Sequence, residues 1–482
     1  MKKTLFISLM VSAVMTAGVV AVHSSTGANR VVTFNKDVAP IFYKNCAECH
    51  RPNDIAPMPL LTYREARPWA RSIKEKVLAR EMPPWSPDPA FGEFANDHRL
   101  PQSDVDTIVA WVDGGAKEGN PKELPPAPEF VSGGWETGKP DVVLEMADEY
   151  TVNPNDPDNY VNFFIPTNFK EDMWIQAAEI HPGNKKVVHH VIAFIQTPQM
   201  MSKRAEAAKA AGERVGARSA GGSGLFYLDG TLRRVRMEAP VTNNTCEAQP
   251  QAAQGAARRQ PGGDGGENEG ALLAGFAPGM GNTVYAPGSA KRVVAGSTLM
   301  FQMHYSAFRG SLDKPQKDRT KIGLIFAKQP PDKMVVTSAA ANVTFKIPAG
   351  ADNHEVMACQ TVPRDIQIVN YMPHMHLRGK DMKYEVVYPD GKRETLLWVP
   401  KFSFNWQMVY WLKRPVNIPK GSKLIVTAHF DNSTKNKYNP DPKKDVRWGD
   451  PTYDEMMIGW MDIVIENPFK PKADSAGRAG GR

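Results

Sequence analysis

A short cysteine–histidine motif near the start of the chain could carry redox chemistry. Cys46 and Cys49 are separated by two residues, and His50 follows directly. Two thiols one helical turn apart can bond to the two vinyl groups of a haem, and the adjacent imidazole then reaches the iron as its proximal ligand. A zinc half-site or a redox dithiol is the other interpretation, but the sequence has no second ligand pair nearby. The motif therefore predicts one covalently bound haem c.

The second axial ligand of this haem is expected to be a methionine. Met82 follows His50 by 32 residues and precedes two prolines that could hold its thioether in place. Met58, which lies between two prolines, is the alternative. A thioether ligand raises the haem potential and suits electron transfer.

A second group of residues has the donors of a metal site. These donors are imidazoles and a pair of late thioethers: His189, His190, His304, His374, His376 and the pair Met456-Met457. The H-x-H spacing puts both imidazoles on one face of a strand, because strand side chains alternate with period two. Adjacent histidines diverge on a regular strand, so His189 and His190 need a bulge or a strand end to converge. Imidazole and thioether donors together favour copper over zinc.

Two kinds of element must position these residues. Helical periodicity runs from Ala66 to Arg80 and from Gln102 to Val112. From about Trp135 onward, short runs rich in β-branched and aromatic residues alternate with turn residues, which predicts β-sandwiches. Roughly 330 residues are too many for one sandwich, so we expect two, with a boundary near Pro330-Pro331. The fold class is therefore mainly β after a small all-α domain.

The same patterns divide the chain into parts. Residues 202–270 become rich in Gly, Ala, Gln and Arg, and such a segment cannot bury enough surface to offset its ordering entropy. The expected parts are a signal peptide or membrane anchor (1–28), a small all-α cytochrome c domain (31–128), a first β-sandwich (135–330) with a flexible insertion (202–270), a second β-sandwich (331–470) and a disordered tail (471–482).

The start of the chain predicts export. Lys2 and Lys3 precede an apolar run from Leu5 to Val22, which is typical of a secretory signal. We therefore expect a periplasmic or secreted protein, anchored to the inner membrane only if this segment is not cleaved. In an oxidising compartment Cys246 and Cys359 could form a disulfide.

The charge is modest and evenly spread. The chain has 59 Lys and Arg against 52 Asp and Glu, a formal net charge of +7. Scattered charges indicate a solvated surface, so we expect no nucleic-acid partner.

Four ordered motifs resemble the copper type II ascorbate-dependent monooxygenases, a family that includes peptidylglycine α-hydroxylating monooxygenase and dopamine β-monooxygenase. The motifs are Val188-His189-His190, Leu299 to Tyr305, His374 to Lys380 and Asp454-Glu455-Met456, and the resemblance covers roughly Trp135 to Glu466. It implies two jelly-roll-like sandwiches that each hold one copper across a solvent-filled cleft. It implies an electron-transfer copper on His189, His190 and His304. It implies an oxygen-activating, catalytic copper on His374, His376 and Met456, rather than Met457.

The resemblance also implies an activity. Such an enzyme hydroxylates a C–H bond of a small organic substrate with O2, and each turnover needs two electrons. We expect the fused haem c to relay these electrons from a periplasmic redox protein or an ascorbate-like reductant. Peptide-amidating relatives carry an arginine where this chain has Met372, so glycine-extended peptides are not expected. Two other functions stay open: a haem and copper protein that transfers electrons or binds copper without catalysis, and a copper oxidoreductase that inserts no oxygen.

Overall fold

The computed structural model describes residues 31–470 except 53, 55, 131–133, 155, 157–158, 211–217, 221–240, 247–271, 278, 306–311 and 450. The expected signal or anchor, the expected tail and most of the expected insertion therefore lie outside the described residues. Within the described part of the chain, no helix has both the length and the apolar character needed to cross a membrane.

Short helices form the part of the chain before residue 128. The α-helices are α1 Ala39–Asn45, α2 Tyr63–Ala66, α3 Ala70–Leu78, α4 Gln102–Asp113 and, later in the chain, α5 Pro198–Ala210. Helix α4 buries Val105, Ile108 and Trp111, which follow one another at helical spacing. The ring of Trp111 lies 5.9 Å from that of Phe34 and 6.3 Å from that of Phe42, so an aromatic cluster joins these short elements.

Strands dominate the rest of the chain. They are β1 Val142–Glu145, β2 Tyr150–Val152, β3 Asn159–Pro166, β4 Met173–His181, β5 Val188–Gln196, β6 Arg218–Ala220, β7 Leu272–Phe276, β8 Thr283–Val284, β9 Ser289–Val293, β10 Thr298–Tyr305, β11 Gln316–Asp318, β12 Lys321–Phe326, β13 Lys333–Ala341, β14 Lys346–Ile347, β15 His354–Thr361, β16 Ile366–His374, β17 Gly379–Val387, β18 Arg393–Val399, β19 Tyr410–Ile418, β20 Lys423–Phe430, β21 Val446–Arg447 and β22 Ile458–Glu466. Strands hold 38% of the described residues and helices 15%, which confirms the predicted mainly-β class.

Three of the sheets pack in layers and enclose two apolar cores. One sheet runs β1-β12-β4-β9-β13-β22-β16-β19, with β8 paired to β4. Its first strands pack against the five-stranded sheet β6-β3-β10-β5-β7 and enclose the first core. Its last strands pack against the four-stranded sheet β15-β20-β17-β18 and enclose the second core. The two layered units therefore share one sheet.

The shared sheet is joined where β9 runs parallel to β13. The pairing is short, and a buried lysine beside it adds a polar link across several strands. Lys291 Nζ donates to the Leu272 carbonyl at 2.6 Å, to Thr337 Oγ1 at 2.7 Å and to an Asp462 carboxylate oxygen at 3.1 Å. A buried ammonium group needs such partners, so this network fixes the two units in one relative position.

The helical part also packs into the second core. Trp85 and Phe94 are buried there, and the ring of Trp85 lies 5.2 Å from that of Tyr410. Phe94 forms a backbone bridge with Leu412 on β19. The helical part therefore packs against the second sandwich, which the sequence patterns did not indicate.

The predicted disulfide is confirmed. Cys246 is bonded to Cys359 on β15, with Cα atoms 5.0 Å apart. Asn244 pairs with Met357 on the same strand. Residues 241–246, which belong to the expected insertion, are therefore attached to the second sandwich.

Candidate functional site

A bulge on β5 turns two adjacent histidines toward the same side. His190 pairs with His304 on β10, and the next pair joins Val188 to Tyr305, so His189 is an extra residue in the ladder. Val188 is buried in the first core whereas His190 faces a cavity, although regular alternation would place both on one face. The bulge that the sequence required is thus confirmed.

His189, His190 and His304, called here the histidine triad, form a compact cluster. One nitrogen from each lies within 4.8 Å of the other two, a spacing that could hold a metal ion. All three side chains are buried. Neither ring nitrogen of His190 has a hydrogen-bond partner among the described residues, and such buried groups are costly unless a ligand satisfies them.

The electrostatic setting of the histidine triad favours neutral imidazoles. Burial lowers the pKa of His190 well below its ordinary value, and the neighbouring His304, His189, His374 and His376 lower it further. A neutral imidazole is the form that binds a metal ion. The donor set therefore fits a metal that accepts nitrogen ligands.

A second donor group lies where β16 ends and β22 begins. Met372, His374 and His376 face the same cavity as His190, whereas Met375 between the two histidines is buried in the second core. Met456 also faces the cavity, and Met457 is buried in the second core. Strand alternation thus brings together His374, His376 and Met456, called here the mixed set, and separates Met457 from it.

Hydrogen bonds orient both imidazoles of the mixed set. His374 Nδ1 lies 2.5 Å from the side-chain oxygen of Gln407, and His376 Nδ1 lies 3.1 Å from the carbonyl of Asp454. Both acceptors require a proton on Nδ1, which leaves Nε2 as the donor for a metal. Burial lowers the pKa of His374 to about 4 and that of His376 to about 3, the latter also through His374. Both rings are therefore neutral near neutral pH.

A buried carboxyl group ties the two segments of the mixed set together. Glu455 accepts backbone N–H groups of His376 at 2.8 Å, Arg378 at 2.6 Å and Met456 at 3.2 Å. Burial raises the pKa of Glu455 to about 8, although these donors and the Arg378 charge act in the opposite direction. This one side chain fixes the end of β16 against the start of β22.

His190 of the triad and the whole mixed set line one cavity, and the ring of Phe404 lies near both sets. The ring of Phe404 lies 5.9 Å from that of His189, 6.2 Å from that of His304 and 6.2 Å from that of His376. Tyr160 lies on β3, which pairs with β10, and its ring stacks on that of His304 with ring centres 4.4 Å apart. An aromatic side chain therefore lies close to both sets.

The cysteine–histidine motif forms a turn after α1. Cys46 and Cys49 are free thiols, and the backbone N–H of His50 donates to the Cys46 carbonyl at 2.8 Å. Burial raises the pKa of Cys46 to about 12 and that of Cys49 to about 11, so neither is an activated thiolate. His50 Nδ1 lies 3.0 Å from the Met58 carbonyl, which leaves Nε2 for a ligand.

This turn touches the loop that leads into β5. An Asp54 carboxylate oxygen accepts Arg51 at 2.8 Å and Lys185 at 2.9 Å, and its side chain is only 11% exposed. Lys185 precedes His189 by four residues. The motif and the histidine triad are thus linked by one ion pair and a short stretch of chain.

Several residues of the site were missed by the sequence reasoning. Gln407 and Phe404 lie on the loop between β18 and β19, and no local pattern marks them. Glu455 belongs to a motif that was recognised, but its role depends on backbone groups of residues 376 and 378. The one available signal for this role was that Glu455 lies shortly before the apolar strand β22.

Comparisons with known proteins bear on the second sandwich. Residues 332–461 match the family model described as "Copper type II ascorbate-dependent monooxygenase, C-terminal domain". No curated protein matches the chain. The structure of infectious bursal disease virus Gx strain is 9% identical and covers 73% of this chain and 77% of that chain, with a TM-score of 0.18. The structure of Paenibacillus xanthan lyase is 12% identical and covers 72% and 28%, with a TM-score of 0.16.

TM-scores this low carry no argument about fold or function, so the family match is the informative comparison. The matched residues include the whole mixed set. The match relates residues 332–461 to the C-terminal domain of this family of copper-dependent monooxygenases, and the rest of the chain lies outside it.

Proposed function

We propose that this protein is a monooxygenase that hydroxylates a C–H bond of a small organic substrate and receives its electrons through a haem c. The reaction consumes the substrate, one O2, two electrons and two protons, and it yields the hydroxylated product and one water. The observation that carries the proposal is that His190 of the triad and all three residues of the mixed set line one cavity, which also has apolar walls.

The donor chemistry supports copper at both sets. The triad offers three imidazoles, and the mixed set offers two imidazoles and a thioether, which suits a metal that alternates between Cu(I) and Cu(II). His189, His190 and His304 would hold one copper, and His374, His376 and Met456 the other. Bound copper would supply one-electron transfer and activation of O2. The residues around the cavity contribute orientation and exclusion of water.

The chain's own residues divide these tasks. Gln407 and the Asp454 carbonyl hold the protons on the outer nitrogens of His374 and His376, so that both Nε2 atoms face the same ion. Glu455 sets the distance between His376 and Met456. The apolar side chains of the cavity keep bulk water from the reacting groups.

The thiols and imidazole of the first motif fit a haem c. Two free thiols lie next to an imidazole whose outer nitrogen donates to a backbone carbonyl, as a proximal ligand requires. The Met58 carbonyl occupies the side of His50 that faces away from an iron, which favours Met82 as the distal ligand. Met82 lies three residues before Trp85, which is buried in the second sandwich.

The position of the haem motif supports an electron relay toward the triad. The Asp54–Lys185 ion pair places the motif against the loop before β5, and β5 carries His189 and His190. An exported enzyme with this arrangement would take electrons from a periplasmic redox protein or a small reductant such as ascorbate. We propose a periplasmic or secreted location, with a membrane anchor only if the first segment is retained.

The test combines composition with isotope labelling. We expect the purified full-length protein to show the visible spectrum of a c-type haem and to contain two copper ions per chain. With a reductant and 18O2, a hydroxylated product should carry one labelled oxygen atom. Absence of O2 consumption by the reduced, fully loaded protein with any substrate mixture would overturn the monooxygenase proposal. Product without label would indicate an oxidoreductase that inserts no oxygen.

A further inference from the structure

The cavity beside the two donor sets has one wall of imidazoles and one apolar wall. The apolar wall lies between the five-stranded sheet and the shared sheet, and its buried side chains, called here the cleft cluster, are Phe194, Leu272, Met300, Met372, Met456, Ile458 and Trp460. All of them except Met300 line the cavity. The space enclosed, counted with the solvent at its mouth, is about 750 Å3.

Strand alternation explains why this wall is apolar without being part of a core. On β5, Ile192 and Phe194 line the cavity, whereas Ala193 and Ile195 are buried in the first core and do not line it. On β22, Trp460 likewise points toward the cavity. Both faces of these strands are therefore hydrophobic, and the second face meets a cavity rather than a packed layer.

Charged groups are absent from the described lining. Of the described residues that line the cavity, none is Asp, Glu, Lys or Arg. Its polar side chains other than histidine are Tyr160, Gln302 and Gln407, and the oxygen of Gln407 is already engaged by His374. Arg204 lies over the ring of Phe164 in the neighbouring packing, 3.5 Å from its centroid, and does not line the cavity. A charged ligand would thus lose its hydration without meeting a side chain of opposite charge in the described lining.

From this lining we infer that the substrate is a neutral and largely apolar small molecule. The inference rests on the proposed function, because it assigns the class of molecule whose C–H bond reacts. Phe194, Met372 and Trp460 hold its body, and the bond to be hydroxylated faces His374 and His376. Carboxylates, ammonium compounds and phosphates would find no side chain of opposite charge in the described lining of this position.

Met280 offers a way to change the charge of the cavity at its edge. It is half-buried, lines the cavity and packs over Gly275, where a Cβ atom would lie only 2.8 Å from the Met280 sulfur. It lies on the loop after β7 and belongs to neither donor set. Met280→Lys introduces an ammonium group, and Met280→Leu is the matched control that keeps the volume and the apolar character.

The experiment compares three probes that share one ring: 4-fluorotoluene, 4-fluorobenzoate and 4-fluorobenzylammonium. Binding to the reduced holoprotein under nitrogen is followed by fluorine NMR, so no turnover is needed. We expect 4-fluorotoluene to bind at least about 10-fold more tightly than either charged probe. A tenfold ratio of dissociation constants corresponds to a modest free-energy cost of burying one unpaired charge. Met280→Lys should weaken 4-fluorotoluene about 10-fold and strengthen 4-fluorobenzoate, whereas Met280→Leu should leave the order unchanged.

The outcomes separate this inference from the proposed function. Equal or tighter binding of a charged probe, or no binding of 4-fluorotoluene, overturns the substrate class whether or not the protein consumes O2. Neutral selectivity in a protein that never consumes O2 supports the binding class and overturns the monooxygenase. If Met280→Lys does not fold, the order of the three probes on the unmodified chain still decides.

Discussion

The histidine triad, through His190, and the mixed set reach the same cavity but are built in opposite ways. The mixed set is oriented before any ligand arrives, because hydrogen bonds fix both of its imidazoles and Glu455 fixes its two segments. In the triad, both nitrogens of His190 are buried without a hydrogen-bond partner among the described residues. The triad therefore depends on a ligand to compensate buried polar atoms, whereas the mixed set is largely compensated by protein.

This difference suggests a division of tasks. A donor set held by surrounding hydrogen bonds keeps its geometry while substrate and O2 bind and leave, which suits the place where a bond is broken. A set formed on one bulged strand and its neighbour can adapt when an ion changes charge. The predictions below test whether the two sets respond differently to the loss of one supporting group.

The largest effect is expected at Glu455. Glu455→Leu leaves three buried backbone N–H groups without an acceptor, which should lower the free energy of unfolding by about 3 kcal/mol or more. It should also release the copper of the mixed set and leave that of the triad. Metal analysis and urea unfolding measure the two effects.

A second buried carboxyl group provides the control for that variant. Glu179 accepts the backbone N–H groups of Glu136 and Thr137 at a distance from the cavity lining. Glu179→Leu should destabilise the chain in a similar way but keep both copper ions. Two copper ions at unchanged affinity in Glu455→Leu would contradict the positioning role.

The next effect concerns Gln407. Gln407→Leu removes the acceptor that orients His374, and loss of such a supporting group weakens metal binding by about 10- to 100-fold. We expect this loss at the mixed set alone, in an anaerobic Cu(I) titration against a competing chelator. Gln302→Leu, a substitution of a cavity-lining amide on β10, is the control and should leave the affinity of the mixed set unchanged.

Acid should destabilise the metal-free protein through the same imidazoles. The pKa of His374 is lowered to about 4 and that of His376 to about 3, so below pH 6.5 the unfolded chain binds protons that the folded chain does not. Each histidine should therefore contribute fully to the free energy of unfolding above pH 6.5 and lose about 1.4 kcal/mol per pH unit between 6.5 and 4, whereas Glu455, whose pKa is raised to about 8, acts in the opposite sense between pH 8 and 4.5. Urea unfolding of the metal-free chain at several pH values measures the slope. His376→Leu should reduce this slope by the contribution of one proton. An unchanged slope would refute the lowered pKa of His376 in the folded chain.

Residues that lie on one strand were predictable, and residues that meet across the fold were not. The bulge at His189 followed from the need for two adjacent imidazoles to converge, and the H-x-H spacing fixed the face of His374 and His376, because strand periodicity is a local rule. Gln407 and Phe404 reach the site from a loop that has no periodicity. Their contacts depend on how β19 pairs with β16, which is a long-range property.

The arrangement of the units shows the same limit. Alternating apolar runs indicated sandwiches, but the parallel pairing of β9 with β13 joins them into one sheet, and a two-residue contact leaves no mark in either strand. Lys291 is the residue that could have indicated it. A lysine in an otherwise apolar strand requires a buried partner, although its position does not reveal that the partner is Asp462.

The smallest expected effect is on the stability of the metal-free chain. Substitution of one histidine from each set should change the free energy of unfolding in opposite directions. His190→Leu removes a buried imidazole that lacks a hydrogen-bond partner among the described residues, so the metal-free chain should gain up to about 1 kcal/mol of unfolding free energy while it loses one copper ion. His376→Leu removes a bond to the Asp454 carbonyl and should cost the metal-free chain about 1 kcal/mol. Urea unfolding of both metal-free variants gives the two signs. If both variants lose stability equally, packing and not an absent ligand holds the triad together, and the contrast between the two sets does not hold. Opposite signs would mean that the folded chain tolerates His190 at a cost in stability for the sake of the ion it binds.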